Sequence, residues 1–394
     1  VSVTAPLGFR AAAVEAGIKP DQPDLALLVA DRTCAAAGVF TTNRAQAAPV
    51  VVSREHLRGG QARAVVVNAG CANAATGDRG LADAREMACL AATALGCRPE
   101  EVVVASTGVI GVHLPMDKLR AGIPRAAAAL SWDGGALAAR AIMTTDTRPK
   151  EVTVPFSVGG VAARVGAMAK GAGMIAPNMA TLLAFFTTDA AIDPPLLRQA
   201  LAEAVGEGLN RITVDGDTST NDMAVAMASG AVQAPPITGP GPDYRALKDA
   251  LTQASRALAE MIVRDGEGAS RIAEVRVEGA RTEAEADRVA RTIAESPLVK
   301  TALHGGDPNW GRILAAAGRS GVEIDADRVS IWIGEVWVAD HGQARDYREE
   351  SAHAAMIADP VRIRVHLGQG AKAGWMWTCD LTHAYVDINA HYRS

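Results

Sequence analysis

The segment with the most unusual chemistry is Lys170-Gly-Ala-Gly-Met-Ile-Ala-Pro-Asn-Met-Ala-Thr-Leu-Leu-Ala-Phe-Phe-Thr-Thr-Asp189. Its first half is broken by Gly171, Gly173 and Pro177 and carries almost no charge, whereas Thr181 to Phe186 fits a buried strand. A buried strand that opens on a threonine, behind the small Ala180 and a Pro-Asn loop, is what a self-processing nucleophile needs. The Thr181 hydroxyl would attack the Ala180 carbonyl in an N-to-O acyl shift, and water would open the ester. The freed α-amine, with a reference pKa of about 8, would then act as general base for its own hydroxyl, so that no histidine is required. The pattern equally suits an ordinary core strand after a glycine loop, and the segment alone leaves both readings open.

Common catalytic templates are missing. The sequence has no Gly-x-x-x-x-Gly-Lys-Ser/Thr loop, no Gly-x-Gly-x-x-Gly, no Gly-x-Ser-x-Gly and no His-Glu-x-x-His. Among eight histidines His304, beside Gly305, Gly306 and Asp307, is the most suggestive, and a turn histidine bonded to backbone also accounts for it. The five cysteines (Cys34, Cys71, Cys89, Cys97, Cys379) form no Cys-x-x-Cys pair, so neither a disulfide framework nor a metal site is expected.

These residues need a scaffold, and the periodicity supplies its outline. Ala64–Asn68 and Glu101–Ser106 read as buried strands with a helix over Gly80–Gly96 between them. Tyr244–Val263 has helical spacing, and Thr282-x-x-Glu285 is a capping box opening another helix. Val329–Ile333, Gly334-Glu335 and Val336–Val338 spell a hairpin with a two-residue turn, and Val361–His366 alternates as a half-exposed strand. Ala234–Pro242, rich in Pro and Gly, is the clearest linker and should cross the surface. The class is a layered α/β fold, and 394 residues suffice for two to three domains or lobes.

The formal charge of −5 with no basic run argues against nucleic acid as a partner. The longest uncharged stretch, Gly171 to Thr188, is interrupted by Gly and Pro, so no membrane span is expected. Val1–Arg10 shows no signal-peptide pattern, which together with the cysteine usage gives a cytoplasmic reading.

The segment around Thr181 resembles the autocleavage motif of the ornithine acetyltransferases, or glutamate N-acetyltransferases. The likeness extends to Thr4–Arg10, Val67–Gly77, Ser106–Gly111, Ala141–Thr147, Asp215–Asp222, Asp265–Ala269, Ser296–Ala302, Asp307–Arg312 and Asp380–Tyr385, in the family's order. The resemblance implies a layered α/β sandwich similar to the N-terminal-nucleophile hydrolases but of the ornithine acetyltransferase/DmpA-like topology. It implies a cut between Ala180 and Thr181, giving pieces 1–180 and 181–394 that stay together as a heterotetramer of two of each.

By the same resemblance, Thr181 forms an acetyl ester in ping-pong transfer from N-acetylornithine to glutamate, in arginine biosynthesis. Thr107 and Gly108 match its oxyanion-hole pair. Thr147, Lys170, Thr181, Glu267, Asn389 and Ser394 match its substrate-binding positions, the last two requiring the C-terminal tail to fold back over the pocket. No cofactor is implied, although some members also accept acetyl-CoA as donor. Cys71 stands where the family more often has Asn, and His391 and Arg393 have no assigned role. Two rivals remain on the sequence: a self-processing amidohydrolase or aminopeptidase that passes the acyl group to water, and an uncut binding protein with Thr181 in its core.

Overall fold

The computed structural model describes residues 2–176 and 182–391. The chain forms two compact units, the first from Val1–Asn210 and Asp217–Ile262, the second from Arg211–Gly216 and Val263–Arg393.

The first unit contains an eight-stranded sheet. Its strands are β1 (Phe9–Val14), β2 (Leu25–Phe40), β3 (Gln61–Cys71), β4 (Val102–Val109), β5 (Lys150–Val158), β6 (Val161–Lys170) and β7 (Leu183–Thr188). After β8 (Ile212–Thr213), which belongs to the second unit, β9 (Met223–Ala228) completes it. The order is β4-β3-β2-β9-β7-β6-β5, with β1 paired to β2. β3 runs parallel to β4 and β9 parallel to β7; the other pairs are antiparallel.

β2 is 16 residues long and changes partners along its length. Leu25–Ala30 pairs with β1, and Ala35–Phe40 pairs with β9. Its pairing with β3 slips between Val29 and Cys34, where Asp31 and Arg32 are exposed in an otherwise apolar strand. The slip marks a bend. One core cluster accordingly joins Val65, Val67, Val103 and Ala105 of β3 and β4 to Met168, Leu183, Phe185, Met223 and Val225 of β6, β7 and β9. The sheet is doubled over, and its halves are two layers of a sandwich. The opposite face of β3 and β4 packs on the helices Gly77–Leu95 and Met116–Ala128, through Val66, Val102, Val104, Met87, Leu119 and Ile123. Burial on both faces explains why these strands are continuous runs of Val and Ala.

The second unit has seven strands in the order β13-β12-β11-β14-β10-β15-β8. They are β8, β10 (Ile272–Ala280), β11 (Ser330–Ile333), β12 (Val336–Asp340), β13 (Gln343–Ala344), β14 (Val361–His366) and β15 (Lys372–Cys379). Only one face is apolar, with Val275, Val277, Ile331, Ile363 and Val365 under the helices Glu283–Ala294 and Trp310–Gly318. On the other face Trp332 stacks on Trp337, with Arg364 over Trp332 and Arg345 over Trp337.

Most local expectations match. The Thr282 side chain accepts from the Glu285 amide at 3.1 Å, and β14 alternates buried and exposed residues. The hairpin of β11 and β12 turns on Gly334-Glu335, with Gly334 at φ +56°. The strand expected from Thr181 begins, among the described residues, at Leu183. Ala234–Pro242 is a mostly exposed crossing, but it lies inside the first unit and separates no domains. Its Ile237 is buried and bridges to Ile192, which ties the crossing down. Among the described residues, no helix is long and apolar enough to cross a membrane, and no group of three or more His, Cys, Asp or Glu side chains could hold a metal ion.

Phe185 is fully buried in β7 between the two layers. Phe185→Ala is expected to destabilise the first unit by about 3–5 kcal/mol, read as a lower urea midpoint; a loss below about 1 kcal/mol would contradict the doubled-sheet core.

Candidate active site

Gly108 ends the regular part of β4 in a conformation only glycine tolerates. Its φ is +127°, and a Cβ there would lie 2.4 Å from the Gly70 carbonyl carbon on β3. The β3–β4 register shifts at this point, with Cys71 opposite both Thr107 and Val109. The irregularity re-aims the backbone after Ser106. Behind it, the Ser106 hydroxyl donates to Asn68 Oδ1 at 2.6 Å, and Asn221 Nδ2 donates to the Ser106 carbonyl at 2.9 Å and the Ala72 carbonyl at 2.6 Å. The Thr107–Gly108 turn therefore stands on a fully bonded polar floor.

Lys170, the last residue of β6, reaches across the sandwich. Its Nζ donates to Thr107 Oγ1 at 3.1 Å. An ammonium carries only donors, so this contact occupies a lone pair of the hydroxyl oxygen and leaves the Thr107 hydrogen to point elsewhere. A hydroxyl polarised in this way is a competent donor to a developing oxyanion.

Beside Lys170 lies a buried charge cluster. Asp146 Oδ1 accepts from Lys150 Nζ at 2.6 Å and from the Gly171 amide at 2.7 Å, and Oδ2 accepts from the Thr144 amide at 3.0 Å. Both Asp146 and Lys150 side chains are wholly excluded from solvent. Burial pushes the Asp146 carboxyl up, but Lys170, Lys150 and the Gly171 amide outweigh it and hold it below the ordinary carboxylate value. Lys19 Nζ donates to the carbonyls of Met143 at 2.8 Å and Ala141 at 3.4 Å, bracing the same loop. Thr147 follows on that loop and is exposed.

Asp222, directly before β9, behaves differently. Burial pushes its carboxyl well above the ordinary value, and the Ser219 hydroxyl, Lys170 and the Ser219 amide oppose this only in part. Its Oδ2 is buried without a hydrogen-bond partner among the described residues. The Met223 amide donates to the Leu182 carbonyl at 3.0 Å, which places Asp222 beside the residue that follows Thr181 in the chain.

In the second unit, Asn389 Nδ2 donates to Glu267 Oε2 at 2.7 Å. The loop carrying Glu267 is shaped to receive the C-terminal helix His383–His391. Gly268 has φ +69°, a Cβ there would lie 2.5 Å from the Tyr385 amide nitrogen, and the Thr382 hydroxyl donates to the Gly268 carbonyl at 2.7 Å. The chain thus folds back onto the Glu267 loop as far as Asn389.

The structure pairs Lys170 with Thr107, and Glu267 with Asn389, and sets Thr147 one residue beyond the buried Asp146. Ala180, Thr181 and Ser394 lie outside the described residues. Cys71 is buried, its Sγ directed at the Val112 carbonyl at 3.2 Å, and burial pushes its thiol up; it is a packing residue. His304 Nδ1 meets Asp380 Oδ2 at 3.1 Å, while the Ser270 hydroxyl bonds the same carboxylate oxygen and not the ring. This is a structural clasp, made to a carboxylate where a backbone partner was expected. His391 is exposed at the helix end.

Sequence reasoning passed over Asp146, Lys150, Asn221 and Asp222. The available signal was a charged residue set against an apolar strand, as Asp222 is against Met223–Ala228.

The family model ArgJ family matches residues 10–394. The chain belongs to the ArgJ family. It is 51% identical to the arginine biosynthesis bifunctional protein ArgJ of Symbiobacterium thermophilum over 395 aligned positions, covering 100% of this chain and 98% of the relative. The protein of the same name from Parasynechococcus marenigrum is 49% identical, covering 100% of this chain and 95% of the relative. Among solved structures, an ArgJ chain from Bacillus halodurans is 48% identical with a TM-score of 0.51, covering 53% of this chain and 98% of its own. The layered α/β sandwich fits this membership.

The Asp222 environment gives a pH signature. The unfolded carboxyl titrates near 3.9, and the native one higher, so above about pH 4 the native state holds a proton that the unfolded chain releases. Stability then falls as pH rises towards the native value. Asp222→Asn mimics the neutral acid and is expected to remove this slope, seen as a flatter Tm-against-pH curve than the wild type; parallel curves would refute a neutral Asp222.

Proposed function

We propose that this ArgJ family member is a self-processing acetyltransferase of arginine biosynthesis, moving acetyl from N-acetylornithine to glutamate through an acetyl ester on Thr181. The observation that carries the reading is identity near 50% along the whole chain to curated bifunctional ArgJ proteins. The Lys170–Thr107–Gly108 arrangement supports it as a place for an oxyanion.

In processing, Thr181 Oγ attacks the Ala180 carbonyl carbon. The Ala180–Thr181 C–N bond breaks as the hydroxyl proton passes to the departing nitrogen, which becomes the Thr181 α-amine, and water hydrolyses the ester to an Ala180 carboxylate and a free Thr181 hydroxyl. In catalysis the Thr181 α-amine takes the hydroxyl proton as Oγ attacks the acetyl carbon. Thr107 and Gly108 hold the oxyanion. Collapse breaks the acetyl C–N bond and returns the proton to the departing ornithine amine. The glutamate amine then attacks the acetyl ester, giving N-acetylglutamate and restoring Thr181. Thr147 and Lys170 bind substrate, Lys170 by pairing with a carboxylate, and Glu267, Asn389 and Ser394 complete the binding set. The relatives carry the designation bifunctional, and a donor panel that includes acetyl-CoA tests whether it serves as a second donor. The protein works in the cytoplasm without a cofactor, as a heterotetramer of two pieces 1–180 and two pieces 181–394.

Strand order supports pieces that remain together after the cut. β7 and β9 follow residue 180, yet they lie between β2 and β6, with six residue pairs at each of the β2–β9 and β6–β7 seams. The aligned Bacillus halodurans chain, spanning 53% of this one, has about the size of a piece starting at Thr181.

Denaturing mass analysis of the purified protein should give two fragments and no 40.7 kDa chain, with N-terminal sequencing yielding Thr-Leu-Leu beside Val-Ser-Val. Thr181→Ala should stay intact and inactive; processing of that variant would refute the assignment. Deacetylation of N-acetylornithine should depend on glutamate with parallel-line kinetics. A rate unchanged by glutamate would make the enzyme a hydrolase.

A further inference from the structure

The buried Asp146–Lys150 pair has no part in the chemistry above, although it adjoins the loops that bear Thr147 and Lys170. We propose that Asp146 is a positioning residue for substrate binding: one carboxylate that ties the 144–147 loop to the end of β6, with Lys150 as its internal counter-ion. The proposal rests on the reading that Thr147 and Lys170 contact substrate.

The argument starts from connectivity. Asp146 uses both oxygens. Oδ2 receives the Thr144 amide, within its own loop, and Oδ1 receives the Gly171 amide, immediately after Lys170. Lys150 opens β5 and pairs in register with Ala169 of β6, so its ammonium approaches Oδ1 from the neighbouring strand. Three segments thus converge on one carboxylate.

Burial gives the tether its stiffness. Neither side chain is solvated, so water cannot replace a lost partner, and a carboxylate receiving two amides and an ammonium has little freedom to shift. Lys170 needs such support. It stands where β6 ends and the Gly-rich stretch from Gly171 begins, and a long flexible side chain aimed from a loose strand end would scatter. With the Gly171 amide pinned, the Lys170 backbone is fixed and its ammonium rests on Thr107 Oγ1.

The local charges act in the same sense: Lys170 and Lys150 hold the Asp146 carboxyl below its ordinary value against burial, while Lys19 lies between Asp24 and Asp146. Asp146 is matched by Lys150 and Lys19 is braced on carbonyls. A buried pair that only filled space would be replaceable by apolar residues at little cost to stability or to binding; replacing a tether in this way restores stability but not substrate binding.

That contrast is the test. Asp146→Ala leaves the buried Lys150 ammonium without the Asp146 carboxylate and should lower Tm by about 10 °C. The double variant Asp146→Ala/Lys150→Met removes both charges and should recover most of that loss. In the double variant, KM for N-acetylornithine and for glutamate should remain raised by about tenfold or more, with kcat within about threefold of wild type and processing at Thr181 intact. Asp146→Asn, which keeps the shape and one acceptor, should give a smaller KM rise. Wild-type KM in either the double variant or Asp146→Asn overturns the proposal, as does a loss confined to kcat. Failure of the underlying function is read separately, as wild-type protein that transfers no acetyl. The tether is then still tested by amide hydrogen exchange at Gly171, which should accelerate in the double variant; unchanged protection there would also overturn it.

Discussion

A single bent strand governs the first unit. If β2 ran straight, β4 and β6 would lie in distant parts of one eight-stranded sheet. The exposed, charged interruption at Asp31 and Arg32 lets β2 leave β1 and continue against β9, and the sheet doubles over. Apolar burial between the halves stabilises the doubled form, since Val65, Val67 and Val103 meet Phe185, Met223 and Val225. The polar consequence is at the margin of that core, where a lysine ending β6 touches a threonine near the end of β4.

The polar margin is organised by unequal treatment of two carboxyls. Asp146 is given an ammonium and two amides, which hold its carboxyl below the ordinary value; Asp222 receives mainly Ser219, and burial pushes its carboxyl well above it. Burial alone pushes both upwards, so partners decide the outcome.

The second unit solves a different problem. A chain end normally frays, but the helix His383–His391 is docked on the Glu267–Gly268 loop by the Thr382 hydroxyl, by the absence of a side chain at Gly268 and by the Asn389–Glu267 bond. Two residues 122 positions apart become neighbours by this docking.

What the sequence alone determined was local. The apolar runs of β3 and β4, the alternation of β14, the Thr282 capping box and the Gly334-Glu335 turn follow from side-chain periodicity and backbone preference within a few residues. The blocks around Thr107, Thr147, Lys170, Glu267 and Asn389 were legible as a family pattern. Tertiary structure alone decided which of these residues touch, because contact depends on the bend of β2 and on strand order. It also decided what each charge is worth. Asp146 and Lys150, four positions apart on no common helix, carry no local sign that the fold buries them together. Cys71 looked like a departure near a working loop until burial reduced it to packing. Dielectric environment and hydrogen-bond partners are set by residues far away in the chain, and no local pattern encodes them.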